Sequence, residues 1–328
     1  MDKNVKVLAL VSGGLDSSLA VKIMLDQGIS VEAVHFTTPF CNCDKCALES
    51  LVQTSGIKIH HVFLGQEYLD ILVDPPHGYG SQMNPCIDCR ILMFRKAKEL
   101  AQTIKADTIV TGEVLNQRPF SQRKEIMLLI DREAGLNKMV LRPLSAKLLP
   151  ETEVEKSGLI VREKLFSIQG RRRLPQMSLA EELNLKDYPC PSGGCLLTDI
   201  YFATKLKDFL KYNDALTLND ITLLKLGRHL RFEGCKIIVG RNETENQTIL
   251  NISKREKNHY FEVVDYMGPI TLLRGTASEN VIKMAAEITV RYSDAPKNIE
   301  VDVKYVTEAE QIMNVCAAPD EQISRLRI

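Results

Sequence analysis

The stretch Ser12-Gly13-Gly14-Leu15-Asp16-Ser17-Ser18 decides the fold of the first part of this chain. Residues 5–11, directly before it, are aliphatic and β-branched, as expected for a buried strand, and the apolar residues after it recur at helical spacing. Two glycines let the backbone turn sharply between the strand and the helix, and the free N–H groups at a helix start attract anions. The stretch therefore predicts a phosphate-binding loop.

The loop lacks the Gly-Lys-Ser/Thr of a Walker A sequence. It resembles the Ser-Gly-Gly-x-Asp-Ser signature of the PP-loop ATP pyrophosphatases, which cleave ATP between the α and β phosphates and transfer AMP to an acceptor oxygen. A serine-capped turn between strand and helix is the alternative. The resemblance implies that ATP and Mg²⁺ bind here and that Asp16 is a catalytic, metal-binding or loop-ordering carboxylate. It also implies contacts from the loop to the phosphates, made by Ser12, Gly13, Gly14, Ser17 and Ser18.

Strand and helix patterns alternate through the first part of the chain, which predicts an α/β fold with a parallel sheet. Further strands are expected at 31–36, 57–64 and 106–111, a helix at 91–104, and a strand or short helix at 127–130. In such sheets ligands bind at the carboxyl ends of the strands. Under the resemblance, this is a PP-loop domain of the HUP type, which is similar to the adenine nucleotide alpha hydrolases.

The segment from Thr111 to Gln117 reads Thr-Gly-Glu-Val-Leu-Asn-Gln and resembles an element of the 4-thiouridine synthases, another PP-loop family. Without the family, it reads as a helix start with a glutamate near its positive end. The resemblance implies that nucleotide-binding residues follow the strands, namely Phe36, Gly112, Glu113 and Gln117.

Two cysteine motifs resemble the bacterial tRNA 2-thiouridylases, in which an Asn-Pro loop carries one reactive cysteine and a Ser-x-Gly-x-Cys-like segment carries a second. Here Asn84-Pro85-Cys86-Ile87-Asp88-Cys89 places Cys89 at the first position, and Cys190-Pro191-Ser192-Gly193-Gly194-Cys195 places Cys195 at the second. Both are therefore predicted catalytic residues. Cys86 stands where the bacterial enzymes have an aspartate.

Three cysteines at these positions favour a [4Fe–4S] cluster held by Cys86, Cys89 and Cys195, because thiolates are soft ligands. One iron of this cluster would have no protein ligand. The alternative is a persulfide relay, in which Cys89 carries the sulfur and Cys195 resolves it as a disulfide. A further group, Cys41, Cys43 and Cys46, suggests a structural zinc site with His35, His60 or His61 as fourth ligand, or a second part of the sulfur site.

The segment 226–246 resembles the NFACT RNA-binding domain, whose hallmark is a Val-Gly-Arg-Asn-x-x-x-Asn turn after a strand. Residues 221–260 contain eight Lys or Arg and four Glu, so this part is basic although the chain has no net charge. A hairpin turned by Asn242 is the structural alternative. RNA contacts are predicted from two basic groups: Arg171, Arg172 and Arg173, and Arg228, Arg231 and Arg241.

The sequence thus predicts three parts: a PP-loop ATP-binding catalytic domain at 1–140, a linking region at 141–200, and an NFACT-like α+β domain at 201–328. A hydrophobic content of 45% without a membrane-length apolar run or a signal-peptide pattern favours a cytoplasmic protein that does not contact membranes.

Taken together, the resemblances imply ATP-dependent tRNA thiolation, with tRNA as a partner and a cysteine desulfurase, a sulfur carrier or free sulfide as the sulfur donor. The alternatives are a PP-loop enzyme that adenylates a small molecule for sulfur or nitrogen transfer, and a non-catalytic RNA-binding factor.

Overall fold

A computed structural model describes residues 5–41, 52–53, 55–185, 194–306 and 309–328 of the chain. They fall into two compact units, Met1–Asp199 and Ile200–Ile328. In the described part of the chain, none of the helices combines the length and apolar character needed to cross a bilayer.

The first unit is built on a parallel five-stranded sheet of order β3-β2-β1-β4-β5. Its strands are β1 (Lys6–Leu10), β2 (Ser30–Thr37), β3 (Lys58–Phe63), β4 (Thr108–Thr111) and β5 (Val140–Leu141). The chain leaves β1 for β2 on one side and later returns to place β4 on its other side. The order of the strands reverses between β1 and β4, which makes their carboxyl ends the expected ligand site.

Helices of 4 to 19 residues surround this sheet: α1 (Leu15–Leu25), α2 (Gln66–Val73), α3 (Cys86–Ile104), α4 (Lys124–Glu133), α5 (Glu153–Lys156) and α6 (Leu174–Glu182). Short 3₁₀ helices lie at Ala146–Leu148, Arg162–Lys164 and Leu196–Thr198. Helix α1 packs on the central strands and against α6, and its buried apolar residues share one core with β1. Burial of both faces explains the continuous aliphatic run of β1.

The second unit carries an antiparallel six-stranded sheet of order β11-β10-β8-β9-β7-β6. The strands are β6 (Arg228–Phe232), β7 (Cys235–Val239), β8 (His259–Val263), β9 (Thr271–Arg274), β10 (Val301–Val306) and β11 (Glu310–Val315). The helices are α7 (Ile200–Leu210), α8 (Leu218–Lys225), α9 (Glu243–Glu256), α10 (Glu279–Arg291) and α11 (Asp320–Leu326).

Local chemistry explains the start of helix α9 and the β6–β7 turn in the second unit. Asn242 caps helix α9 by accepting the N–H of Glu245 at 3.0 Å. Glu233 and Gly234 join β6 to β7 with φ angles of +46° and +79°, as a two-residue hairpin turn requires. The predicted turn at Asn242 is therefore a helix cap rather than the turn of a hairpin.

The predicted fold class, a parallel α/β domain followed by an α+β domain, is confirmed. One open alternative is resolved, and the start of one helix is corrected. Residues 127–130 lie inside helix α4, and helix α3 begins at Cys86 rather than at residue 91, directly after Pro85 at the cap position. The cysteine pair therefore lies in the first helical turn and not in a preceding loop. The predicted boundary at residue 140 stays a prediction, and residues 141–199 fall within the first unit.

Candidate nucleotide and sulfur site

The loop after β1 is ordered by its own serines. Gly13 has a φ of +76°, and Gly14 is the N-cap residue of α1. The hydroxyls of Ser17 and Ser18 both donate to the carbonyl of Gly14, at 2.8 and 3.2 Å. Ser12 is exposed, and its N–H donates to the Ser17 hydroxyl at 3.3 Å. These bonds shape the loop, and the predicted phosphate contacts of the serines stay predictions.

Asp16 connects this loop to the end of β4. One carboxylate oxygen, Oδ2, accepts a hydrogen bond from Gln117 Nε2 at 3.0 Å, although the residues are 101 positions apart. The other oxygen, Oδ1, is buried and has no hydrogen-bond partner among the described residues. A buried carboxylate oxygen without a donor is costly unless a cation or ligand completes it. The donor chemistry at Asp16 therefore fits Mg²⁺.

Gly112 contacts the same loop through its backbone. A Cβ placed on Gly112 would lie 2.5 Å from the backbone of Asp16 and Ser17. Backbone atoms cannot move aside as a side chain can, so any other residue would displace the loop. The glycine is required by the loop itself, which is a different reason from the predicted close approach of ATP.

Glu113 belongs to a buried ion network. Its carboxylate lies 3.0 Å from Arg142 Nε and 3.3 Å from Arg90 Nε. Arg142 in turn makes two bonds to Asp131, at 2.7 and 2.8 Å. Burial alone would raise the pKa of Glu113, but Arg90 and Arg142 outweigh it and hold that pKa below its ordinary value. Glu113 thus positions Arg90, and its predicted contact with the nucleotide stays a prediction.

The cysteines are brought together by backbone hydrogen bonds between distant segments. The N–H of Leu196 donates to Phe40, and the N–H of Met83 donates to Leu197. These bonds place Cys195 beside the segments that carry Cys41 and Cys86. Cys195 interacts electrostatically with Cys41 and Cys86, and Cys89 interacts with Cys86 and Cys195. Cys41, which the sequence left outside the predicted catalytic set, therefore belongs to this group.

The thiols lie in a poorly solvated environment. Burial raises the pKa of Cys89 to about 12 and that of Cys195 to about 11, although both side chains keep partial exposure. Asn84 Nδ2 donates to the sulfur of Cys86 at 3.1 Å. Tyr68 is 2% exposed and hydrogen bonds to Cys89. At neutral pH both thiols are therefore protonated, and each must lose a proton before it acts as a nucleophile.

The described cysteine side chains are not arranged as the ligands of a bound metal ion. Three cysteines supply the soft donors that an iron–sulfur cluster takes. Yet no three His, Cys, Asp or Glu side chains within the described ranges form an arrangement that would hold a metal ion.

The predicted zinc site includes Cys43 and Cys46, which lie outside the described residues. Two of the histidines considered as its fourth ligand are engaged elsewhere. His35 Nδ1 is 2.9 Å from the carbonyl of Val11, and His60 Nε2 is 2.7 Å from Glu32.

The predicted RNA-binding arginines of the second unit have internal partners. Arg231 stacks on Tyr212 at 4.0 Å and hydrogen bonds to Asp208. Arg241 pairs with Glu245 at 2.5 Å, and Arg228 lies 4.7 Å above the ring of Tyr292.

Other predicted RNA contacts differ in their accessibility. His229 is 2% exposed and its Nε2 lies 2.7 Å from the carbonyl of Leu226, so its ring is not accessible for stacking on a base. Arg171 and Arg172 are exposed, and Arg173 is the N-cap residue of α6. The RNA contacts of all six arginines stay predictions.

Family models match both units. Residues 3–148 match the thiamine biosynthesis protein (ThiI) family, and residues 227–327 match the NFACT protein RNA binding domain. The chain thus contains one region similar to the ThiI family and a second region similar to the NFACT RNA binding domain. This agrees with both resemblances found in the sequence.

Curated relatives of the PP-loop region include tRNA-specific 2-thiouridylases MnmA. That of Marinobacter nauticus is 31% identical over 129 residues, which cover 35% of this chain and 33% of the relative. That of Stutzerimonas stutzeri is 27% identical over 168 residues, which cover 46% of this chain and 45% of the relative. The chain thus matches a third to less than half of the length of these relatives.

Solved structures with some likeness include a 4-thiouridine synthetase–RNA complex with bound ATP, at a TM-score of 0.35 and 22% identity, covering 56% of this chain and 53% of that one. Another is the U34-tRNA thiolase NcsA from Methanococcus maripaludis with its [4Fe–4S] cluster, at a TM-score of 0.31 and 17% identity, covering 63% and 64%. Likeness at this level supports no conclusion about the site.

Several residues around the site of the PP-loop region were not found from the sequence. Tyr68 and Arg142 sit within ordinary helix and strand patterns, and Arg118 follows the motif that ends at Gln117. Their proximity to the cysteines or to Glu113 depends on the tertiary fold, so no local spacing signals it.

Proposed function

We propose that the chain is an ATP-dependent tRNA sulfurtransferase that converts a uridine to a thiouridine. One observation carries the proposal: the segment after β4 links the predicted phosphate-binding loop to the cysteine group. Gly112 touches the loop backbone, Gln117 bonds to Asp16, and Arg118 interacts electrostatically with Cys86 and Cys195. A nucleotide at the loop and a sulfur carried by the cysteines would therefore be close to one another.

The chemistry follows from the leaving group. A uridine carbonyl oxygen is a poor leaving group and must first be activated. The oxygen attacks the α phosphate of ATP, pyrophosphate leaves, and the oxygen then carries an adenylyl group. A sulfur nucleophile attacks the uridine carbon that bears this oxygen, and the oxygen departs as part of AMP. Asp16, through its unpartnered oxygen, would hold the Mg²⁺ that neutralises the departing pyrophosphate.

In the relay form of the reaction, the donor leaves a persulfide on Cys89, whose outer sulfur attacks the activated carbon. The thiolate of Cys195 then attacks the inner sulfur of Cys89, the S–S bond breaks, and a Cys89–Cys195 disulfide forms. An external thiol reductant must reduce that disulfide before the next turnover. Cys195 is among the groups that raise the pKa of Cys89, which supports this pairing.

The relatives support the substrate class. The matched curated proteins are named tRNA-specific 2-thiouridylases, and the second unit matches an RNA-binding domain. We infer from the same relatives that the protein acts in the cytoplasm on tRNA.

A reconstituted assay tests the function. The purified chain is incubated with ATP, Mg²⁺, bulk tRNA, a thiol reductant and a cysteine desulfurase with cysteine as the persulfide donor, and we measure pyrophosphate, AMP and thionucleosides by mass spectrometry. We expect all three products, and only when tRNA is present. Pyrophosphate released without RNA would indicate a small-molecule enzyme, and tRNA binding without pyrophosphate would indicate a non-catalytic factor.

Iron analysis tests the predicted [4Fe–4S] cluster against the relay. After anaerobic purification, a cluster predicts about four irons and four sulfides per chain, lost in Cys86→Ala, Cys89→Ala and Cys195→Ala. Cys316→Ala is the matched control, because Cys316 is an exposed cysteine of the second unit. Full activity of an iron-free protein with a persulfide on Cys89 would exclude the cluster.

A further inference from the structure

Three arginines from three different parts of the fold lie near one another, because Arg118 interacts electrostatically with both Arg90 and Arg173. Arg90 follows Cys89 on α3, Arg118 lies beyond β4, and Arg173 is the N-cap residue of α6. A bridge between Leu115 and Gln169, with a 2.7 Å bond from Gly170 N to the carbonyl of Leu115, runs the last two segments side by side. The fold thus gathers three guanidinium groups that are far apart in the sequence.

Among the described residues, two of the three arginines have no paired acid. Arg90 belongs to a network in which Glu113 and Asp131 already pair with Arg142 and Arg90, two carboxylates for two guanidinium groups. Neither Arg118 nor Arg173 forms an ion pair with any residue that the structure describes. A group of cations that lacks its counter-charge is a ready site for an anion.

Arg118 is anchored and yet accessible. Its backbone N–H donates to Gln122 Oε1 at 2.9 Å, and its carbonyl accepts the N–H of Gln122 at 2.8 Å. The residue as a whole remains exposed. Repulsion from Arg90 and Arg173 acts on the guanidinium of Arg118, and a bound anion would relieve it.

The position of this charge selects the anion. Arg118 acts on Cys86 and Cys195, at the sulfur end of the site, whereas the phosphates of ATP are expected at the loop around Asp16. The reactant that must reach the sulfur is a nucleotide of tRNA, which carries a phosphate within one nucleotide length of its base. We propose that Arg118 and Arg173, with Arg90 beside them, bind the tRNA phosphate that flanks the reacting uridine. This inference rests on the proposed function.

The test uses the full chain with Arg118→Gln, Arg173→Gln and both changes together. Binding of bulk tRNA is measured by fluorescence anisotropy at several salt concentrations, and ATP binding by equilibrium dialysis. For the double variant we expect tRNA affinity to fall by about tenfold, since charge-assisted bonds are lost. The slope of log affinity against log salt should become flatter by about one, as for one lost phosphate contact. ATP affinity should be unchanged.

Two controls separate this effect from others. Arg132→Gln with Lys164→Gln removes the same charge from exposed positions of the same unit, on α4 and on the Arg162–Lys164 helix, and should change tRNA affinity less than twofold. Arg118→Lys keeps the charge and should restore most of the salt slope. Unchanged thermal unfolding of the glutamine variants excludes a folding defect.

Each other outcome overturns the inference. A loss of ATP affinity with normal tRNA affinity would assign the arginines to the nucleotide, and an equal loss in the control pair would indicate general charge attraction. Normal tRNA binding and thiolation by the double variant would remove the inference and leave the proposed function standing. A wild-type chain that neither binds nor thiolates tRNA would remove both.

Discussion

At the scale of single residues, Asp16 combines a negative charge with a buried oxygen that lacks a partner. The variant Asp16→Asn keeps the shape and removes the charge that would hold Mg²⁺. We expect ATP-dependent pyrophosphate release to fall by about 100-fold or more, as when one preorganised electrostatic contact is lost. tRNA affinity should change little, because the predicted RNA contacts lie elsewhere.

The matched control is Asp26→Asn, which removes a carboxylate at the other end of α1 that pairs only with Lys22 at the surface. It should retain normal pyrophosphate release. Normal release by Asp16→Asn would contradict the role proposed for the loop.

Gly112 gives a second residue-scale prediction. In Gly112→Ala the added methyl group would meet the backbone of Asp16 and Ser17 at 2.5 Å, so the loop must shift. We expect the free energy of unfolding to fall by about 1–3 kcal/mol, as in overpacked cores, with loss of ATP binding. In Gly14→Ala the nearest neighbour is the Ser12 hydroxyl at an ordinary 3.5 Å, so unfolding should change less. Urea denaturation of both variants checks the contrast.

Residue-scale prediction from the sequence was strongest for the local motif. The order of strand, glycine loop and helix around Ser12 to Ser18 is encoded within one short stretch, and the fold confirms it. Arg118 and Tyr68 carry no such signal, because their contacts join segments that only the folded chain brings together. The roles of the predicted site residues themselves stay predictions.

At the scale of elements, the buried ion network joins α3, β4, α4 and the segment after β5. Arg142→Met would leave the carboxylates of Glu113 and Asp131 buried without their main cation. We expect a loss of about 3–5 kcal/mol in the free energy of unfolding, the usual effect of breaking a buried pair. Lys156→Met removes a cation from an exposed pair with Glu153 and should change unfolding by less than about 0.5 kcal/mol.

The sheet of the second unit contains a buried lysine with a pH-dependent effect. Burial lowers the pKa of Lys236 from 10.5 to about 8, despite its contact with Asp208. Between these two pH values the unfolded chain holds a proton that the folded chain lacks. Stability should therefore rise with pH in this window, by at most about 1.4 kcal/mol per pH unit.

The variant Lys236→Met should remove this rise, and Arg231 remains to pair with Asp208. Lys254→Met, an exposed position on α9, should retain it. Urea denaturation at pH 7.5 to 9.5 measures the slope. A rise that persists in Lys236→Met would show that another group titrates.

At the scale of the whole molecule, we expect ATP binding to need only the first unit and strong tRNA binding to need the second unit as well. A chain ending at Asp199 retains the sheet and core of the first unit. We expect it to bind ATP normally, while tRNA affinity falls about tenfold or more because the RNA-binding region is absent. Unchanged tRNA affinity would give the second unit another partner.

A full-length variant with Arg228→Gln, Arg231→Gln and Arg241→Gln separates loss of charge from loss of the unit. The salt slope should flatten by up to about three, roughly one per lost phosphate contact. Arg231 should contribute least, because Asp208 and Tyr212 already engage it.

The fold of both units was predictable because periodicity encodes it: aliphatic runs for the buried parallel strands and turn signals between the later strands. Helix α4 was ambiguous because its apolar core, residues 127–130, is too short to distinguish a strand from a helix. Hydrophobic periodicity could not predict that Cys195 lies near Cys41 and Cys86, because two backbone hydrogen bonds between distant segments bring them together.

Those two bonds, from Leu196 to Phe40 and from Met83 to Leu197, also set an order of events during synthesis. The nucleotide loop lies near the amino terminus, but the thiol group closes only when residues 195–197 have left the ribosome. Until then, the nascent chain presents Cys41, Cys86 and Cys89 without the segment that carries Cys195. Because contacts between distant segments form late, cellular thiols and oxidants reach these cysteines before the site is assembled.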